Sequence, residues 1–205
     1  MTRASRRRRP SKSRKSPPSF LGLKGTGLYV AGFVVAVIAM AAITAASLTG
    51  GSDGDATEGE FPLTVYQGAE ELGGFQVDFN SLIGQGRPVI LNFWAGACPP
   101  CRAEMPAFQR VYDANKDDIL LVGVDIGPYV QLGSQQDARN LLTELGITYP
   151  AAFSVSRQPV IDYNVQGMPT TVFFNAAGEI VSVTSGFISE SELESTVEFL
   201  LSLSD

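Results

Sequence analysis

The stretch NFWAGACPPCRAEMP, residues 92–106, holds the only two cysteines of the 205-residue chain, Cys98 and Cys101. It overlaps the short apolar run RPVILNFW, residues 87–94, which opens with an arginine and a proline and is typical of a buried strand. The cysteine pair is therefore predicted to lie where a buried strand ends and a helix begins, a usual place for chemistry in such folds. The helix follows from apolar residues that recur at i, i+4, i+7 and i+11 and form one face: Cys101, Met105, Phe108 and Tyr112.

The other patterned segments of the chain alternate between strands and helices. Two predicted helices open with capping residues, Ser134 with Asp137 and Ser189 with Glu192. Strands alternating with helices before a closing hairpin predict an α/β fold, with a mixed central sheet flanked by helices. In chain order, the predictions are a strand at 61–66, a minor strand or helical turn at 75–84, the strand at 87–94, a helix from about 98, a strand at 118–126, a helix at 134–145, a hairpin of 170–175 and 179–186, and a helix at 189–203.

Charge is divided unevenly along the chain. Residues 1–24 hold nine of the 15 Lys/Arg residues and no acid, whereas the rest has six Lys/Arg against all 21 Asp/Glu. A basic head and an acidic body indicate two environments rather than one nucleic-acid-binding surface, so no nucleic-acid partner is predicted. A solvated, disordered arm is also compatible with the basic run.

An apolar run, LYVAGFVVAVIAMAAITAASL at residues 28–48, predicts a membrane helix. It has no charge, and its length matches the roughly 20 helical residues that a bilayer core needs. The Lys/Arg excess before it places residues 1–24 in the cytoplasm and the rest outside. A cleaved signal peptide is the alternative, but the run is longer than the usual apolar region of about 7–15 residues, and no clear A-x-A site ends it.

These patterns divide the chain into four parts. They are a basic cytoplasmic tail (1–24), a transmembrane anchor (25–48), a flexible acidic linker (49–60) and one folded domain (61–205). The predicted location is the cell membrane, crossed once, with the folded domain outside the cytoplasm.

The cysteine pair has three interpretations. A zinc site normally takes four ligands, and the chain has no histidine and no further cysteine, so no metal or other cofactor is predicted. A structural disulfide is possible outside the cytoplasm, but it would close a loop of only a few residues and contribute little stability. A redox pair is the third interpretation, and it explains the placement of the cysteines.

The redox interpretation rests on the predicted start of the helix. Free N–H groups and the helix dipole favour an anion at Cys98, and the thiolate is the species that attacks a disulfide. Cys101 lies one turn away and can resolve the mixed disulfide. Pro99 and Pro100 remove two amide donors, so we expect a moderately lowered pKa for Cys98 and a reducing couple.

Two motifs together carry a resemblance to a known family: NFWAGACPPCRAEMP at 92–106 and GMPTTVFFNAAGEIV at 167–181. They resemble the thioredoxin-like superfamily, and specifically its membrane-anchored, extracytoplasmic TlpA/ResA-like thiol–disulfide oxidoreductases. The resemblance covers roughly residues 61–205 and implies a thioredoxin-like fold there. It also implies that the helix at 134–145 is the insertion that these proteins carry.

The resemblance assigns roles to individual residues. Cys98 matches the nucleophile, Cys101 the resolving cysteine, and Pro169 a proline whose peptide bond is cis in the family. The flanking Met168 and Thr170 would help to form a groove for the substrate backbone. The full set of predicted substrate-binding residues is Trp94, Pro99, Pro100, Met168, Pro169 and Thr170.

Glu104 is the third predicted catalytic residue, because it matches an acidic residue near the active site of this group. A solvated surface glutamate is the alternative; if buried, its raised pKa would let it exchange a proton with Cys101. Asn92 stands where ordinary thioredoxins have a buried aspartate, which makes Glu104 more important. Ala97 replaces the tryptophan usual before the first cysteine, which would alter the docking surface.

The sequence thus predicts an extracytoplasmic thiol–disulfide oxidoreductase that reduces client proteins with cysteines or disulfides. The resemblance implies apocytochrome c, in cytochrome c biogenesis, as a client, and a transmembrane thiol carrier as electron donor. Three alternatives stay open: a disulfide-forming oxidase of the same fold, a peroxiredoxin-like peroxidase, and a membrane-tethered binding domain with an inert disulfide. Against the peroxidase, the segment AGAC lacks the threonine of a T-x-x-C context.

Overall fold

The structure is a computed structural model that describes residues 59–203. The predicted tail (1–24), the predicted anchor (25–48) and nearly all of the predicted linker (49–60) lie outside the described residues. Within residues 59–203, no helix combines the length and the hydropathy needed to cross a membrane.

Seven strands form one mixed sheet: β1 (Pro62–Gln67), β2 (Gln76–Asp78), β3 (Val89–Trp94), β4 (Leu120–Asp125), β5 (Ala151–Ser154), β6 (Thr170–Phe174) and β7 (Ile180–Ser185). Their order in the sheet is β2-β1-β5-β4-β3-β6-β7. The three central strands β3, β4 and β5 run parallel, and every other neighbouring pair is antiparallel. The predicted mixed sheet is confirmed.

Helices cover both faces of this sheet. Three long helices pack on the face that carries the cysteines, and three short ones belong to the cluster on the other face. The long helices are α2 (Pro99–Asn115), α4 (Gln135–Leu145) and α6 (Glu190–Ser202), and the short ones are α1 (Ala69–Leu72), α3 (Gly127–Val130) and α5 (Gln158–Asp162); a 3₁₀ turn spans Phe79–Ser81.

The side chains of β3 alternate between the two cores, as expected for a strand buried on both faces. Ile90 and Trp94 belong to the core on the cysteine face, and Leu91 and Phe93 to the opposite core. All six residues of β3 are buried, and so are all six of β4. The end of β3 and the loop after it are therefore held rigidly by the centre of the sheet.

Both predicted helix caps are present. The Ser134 hydroxyl accepts from the Asp137 N–H and that carboxylate accepts from the Ser134 N–H, and Ser189 with Glu192 repeats the arrangement. Each capping side chain is worth about 1 kcal/mol. The caps fix where α4 and α6 begin against the cysteine face.

The sequence did not predict strand β5, although it lies between β1 and β4 and joins the β1–β2 pair to the parallel strands. It has only four residues, Ala151–Ser154, and two are alanines, which strands disfavour. Its place is set by tertiary packing, since Ala151 fills one core and Ala152 the other.

Candidate active site

The two cysteines form a disulfide at the start of α2. Cys98 is the N-cap residue in an extended conformation, and Pro99 and Pro100 occupy the first two helical positions. Because proline has no N–H, the first amide of the helix that can donate is that of Cys101, and it donates to Cys98 Sγ at 3.3 Å. The predicted position at the helix start is confirmed, and one amide donor serves the sulfur of Cys98.

Access differs between the two sulfur-bearing residues. Cys98 is 3% exposed, whereas Cys101 has no exposed surface. Cys98 also lines two surface hollows, and Cys101 lines neither of them. A partner thiol or disulfide that approaches from solvent can therefore reach Cys98 but not Cys101.

The larger hollow is an apolar groove of about 380 Å³ beside the disulfide. Met168 lines it, and the Met168–Pro169 peptide bond is cis, as predicted. Pro99 and Pro100 also line it. The remaining lining residues were not predicted and come from the end of α3 with the loop after it and from the loop before β6: Val130, Leu132, Val165, Gln166 and Gly167.

Three predicted substrate-binding residues do not line this groove: Trp94, Pro169 and Thr170. Trp94 has no exposed surface and packs in the core beside Tyr149, where both side chains flank Gly123. Thr170 is 2% exposed and its hydroxyl donates to the Gly167 carbonyl, so it supports the loop that carries Met168. That these residues bind substrate stays a prediction.

Pro169 itself is buried and does not line the groove. Its carbonyl accepts from the Gly186 N–H at 2.8 Å, which ties the loop before β6 to the end of β7. The proline therefore fixes the backbone next to the groove, and the residue before it, Met168, lines the groove.

The second hollow, of about 230 Å³, also lies beside Cys98. It is lined by Gly96, Ala97, Pro99 and Arg102 as well as Cys98. The small side chain of Ala97 is exposed and leaves room there. The Ala97 N–H donates to the Leu132 carbonyl at 2.8 Å, so one backbone contact links the two hollows.

Glu104 is fully buried on the face of α2 that also carries Cys101. Its Oε1 accepts from Asn92 Nδ2 at 2.9 Å and its Oε2 from the Ile188 N–H at 3.2 Å. Burial raises the pKa of Glu104 from 4.5 to about 7, although both donors act in the opposite direction. The surface-glutamate alternative is excluded, and a carboxyl group able to change protonation near neutral pH lies three residues after Cys101.

A second buried acid, Asp125, ends β4 and was missed by sequence reasoning. Its carboxylate accepts from the Tyr66 hydroxyl and from the Gly127 N–H, each at 2.9 Å. Burial raises the pKa of Asp125 to about 6. These bonds anchor the start of α3, whose last residue Val130 lines the groove together with Leu132 just after it. As the last residue of an apolar run, Asp125 carried no motif that could have marked it.

The fold and the site define a thioredoxin-like domain with a Cys-X-X-Cys disulfide at the start of its central helix. The chain belongs to the AhpC/TSA family, whose profile matches residues 60–183. The resemblance inferred from the two sequence motifs is confirmed at this level.

Individual relatives agree with that assignment. The chain is 30% identical over 131 residues to the thiol-disulfide oxidoreductase ResA of Halalkalibacterium halodurans, covering 64% of this chain and 71% of the relative. It is 31% identical over 123 residues to ResA of Bacillus subtilis, covering 60% and 65%. The crystal structure of StoA from Bacillus subtilis superposes with a TM-score of 0.55 at 26% identity, covering 69% of this chain and 98% of that one. Fold, site and relatives agree on a protein thiol–disulfide oxidoreductase.

Proposed function

We propose that this protein reduces disulfides in client proteins outside the cytoplasm. The observation that carries the proposal is the Cys98–Cys101 disulfide, with one nearly buried and one fully buried sulfur, at the edge of an apolar groove. A groove of this kind suits an extended client segment, whose own sulfur then meets Cys98.

The exchange proceeds in two steps from the reduced protein. The Cys98 thiolate attacks one sulfur of the client disulfide, that S–S bond breaks, and the other client sulfur leaves as a thiolate that takes up a proton. Cys101 then loses its proton and attacks Cys98 Sγ, which closes the internal disulfide and releases the second client sulfur. The client gains two electrons and two protons, and the protein ends in the oxidised form seen here.

Glu104 is the group proposed to accept the Cys101 proton. A general base works best when its pKa lies near the working pH, and the pKa of Glu104 is about 7. The chain has no histidine that could do this work instead. When an electron donor later reduces the disulfide, the same carboxyl group returns the proton.

The start of the helix supports the proposed reducing direction. The strong oxidant DsbA owes its oxidising power to a strongly stabilised reduced form. Here Pro99 and Pro100 leave the Cys101 N–H as the donor on Cys98 Sγ. A less stabilised thiolate corresponds to a disulfide that is harder to reduce, and hence to a dithiol that is a better reductant.

The cellular setting is also proposed. Residues 25–48 would anchor the chain in the cell membrane, with residues 1–24 in the cytoplasm and the described domain outside. A transmembrane thiol carrier would then supply electrons. The resemblance to TlpA/ResA-like proteins supports apocytochrome c as a client, with its cysteines kept reduced for haem attachment.

The reduction potential tests the direction. We expect a value closer to that of thioredoxin, roughly −270 mV, than to that of DsbA, roughly −120 mV. A value near the DsbA end would instead indicate the disulfide-forming oxidase. Failure of reduced thioredoxin or dithiothreitol to reduce the folded protein would indicate an inert disulfide.

Trapping tests the two cysteine roles. The Cys101→Ser variant should accumulate mixed disulfides with clients, because the second step is blocked. The Cys98→Ser variant should accumulate none, and the double variant is the background control. Equal trapping by the two single variants would contradict the assigned roles.

A further inference from the structure

Asn92, to which the proposed mechanism gives no role, lies at the centre of a buried polar cluster with Glu104 and Thr171. It is a fully buried residue in the middle of β3. Its Nδ2 donates to Glu104 Oε1 at 2.9 Å and to Thr171 Oγ1 at 3.0 Å. The amide has two hydrogens, and these two contacts use both of them.

The partners of Asn92 belong to the two elements that build the site. Glu104 is on α2, which begins at the disulfide, and Thr171 is on β6, two residues after the cis-proline. On the other neighbouring strand, the parallel strand β4, Asn92 pairs with Gly123, which has no side chain. The amide is therefore held between the cysteine helix and the strand after the groove loop.

We propose that Asn92 is a positioning residue that fixes the Glu104 carboxyl group and stabilises its charged form. The inference rests on the proposed role of Glu104 as the proton acceptor for Cys101. It goes beyond that role by naming the side chain that makes the carboxylate available.

The physical argument starts from the cost of burying a charge. A buried carboxylate with no donors stays protonated at neutral pH and cannot accept a proton. Glu104 has two donors, the Asn92 amide and the Ile188 backbone N–H, and only the amide belongs to a side chain. Within residues 59–203, the charge of Glu104 acts in turn on Tyr149, a buried tyrosine whose own pKa is raised by burial and by Glu104.

The orientation of the amide is fixed as well. Thr171 Oγ1 accepts one amide hydrogen, which directs the other toward Glu104 Oε1. Within residues 59–203, Asn92 Oδ1 has no hydrogen-bond partner. A buried acceptor without a partner is destabilising. The side chain of Asn92 is therefore stabilised in this position by its two donated hydrogen bonds and not by its oxygen.

Nuclear magnetic resonance of the oxidised, full-length protein tests this without an activity assay. The carboxyl ¹³C resonance of Glu104 and the side-chain amide resonances of Asn92 should shift with pH at one common midpoint near 7. An Asn92 amide that does not respond to that titration would overturn the proposal, and this experiment needs no variant that might misfold.

The Asn92→Leu variant has nearly the same shape but no amide. Loss of a hydrogen bond to a charged group should raise the pKa of Glu104 by about one to two units, a roughly 10- to 100-fold change in its ionisation constant. Thr171→Val is the matched control, because it removes the other partner of Asn92 and should raise the pKa of Glu104 much less. Equal shifts in the two variants, or none in Asn92→Leu, would contradict a direct role for the amide.

A comparison with Glu104→Gln separates this inference from the proposed function. The pH profile of disulfide exchange should move to higher pH in Asn92→Leu, but not when Asn92→Leu is added to Glu104→Gln. If Glu104→Gln itself leaves exchange unchanged, the proton-transfer role of Glu104 fails while the resonance test of Asn92 still stands. If Asn92→Leu alters the profile even without Glu104, the positioning role fails.

Discussion

The ionisation of Glu104 should make the oxidised protein less stable as the pH rises. Its pKa is about 7 in the folded protein, against 4.5 for an ordinary glutamate, because burial disfavours the charge. A raised folded-state pKa means that the folded protein holds the proton more tightly than the unfolded chain. The contribution of this proton to the free energy of unfolding is fully present below pH 4.5 and is lost as the pH rises through about 7.

The size of this effect follows from the difference between the two pKa values. At about 1.4 kcal/mol per pKa unit, the full contribution is about 3 kcal/mol, and most of it is lost between pH 5 and pH 9. That is a large share of the roughly 5–15 kcal/mol that stabilises a domain. The effect should therefore be measurable by denaturation.

Guanidinium denaturation of the oxidised protein at several pH values, compared with Glu104→Gln, is the assay. Glutamine does not titrate, so wild type should lose roughly 2–3 kcal/mol more stability than the variant between pH 5 and pH 9. The test is the difference in pH dependence, not the difference in stability at one pH. The glutamine NH₂ group cannot accept from Asn92 or Ile188 as a carboxylate oxygen does, so the substitution also lowers the free energy of unfolding by an amount that does not depend on pH. The comparison also cancels the titration of Asp125. Parallel stability curves for the two proteins would refute the reasoning.

Three further predictions concern the loop after β3, the apolar groove and the cap of α6. Gly96→Ala should lower the free energy of unfolding by about 2 kcal/mol, because the added Cβ would lie 2.3 Å from the backbone nitrogen of Ala138; denaturation measures this. Leu132→Asp should slow exchange with protein clients by roughly 10-fold or more, because it puts a charge in the apolar groove. Its reduction by dithiothreitol should be unchanged, and equal slowing of both reactions would contradict a docking role. Ser189→Ala should cost about 1 kcal/mol of stability through loss of the α6 cap, whereas Ser195→Ala, in the helix interior, should cost little.

The parts of the fold that were predicted correctly have strong local patterns. The run at 87–94 and the capping pairs of α4 and α6 each specify one local structure, and the structure adopts it. The short helices α1, α3 and α5 have four or five residues, too few for a helical period to show. Strand β5 forms because it pairs with both β1 and β4, and such long-range contacts leave no pattern in the local sequence.

The candidate site likewise contains residues that the sequence predicted and residues that it did not. Cys98 and Cys101 were grouped by their spacing at the start of one helix, whereas Glu104 was assigned from the resemblance. The cis bond before Pro169 also came only from the resemblance, since most X-Pro bonds are trans. Val130 and Val165 reach the groove from segments far apart in sequence, and only the folded chain brings them together.

The complete burial of Cys101 has a kinetic consequence. Because no external reagent reaches Cys101, its thiol is kept for the second step, and the release of a client by Cys101 is a first-order event inside the protein. The rate of that internal step should then be independent of the concentration of external thiols. A client would stay attached no longer than this closure of one helical turn takes, and a thiol that reaches Cys98 from solvent can only shorten that time.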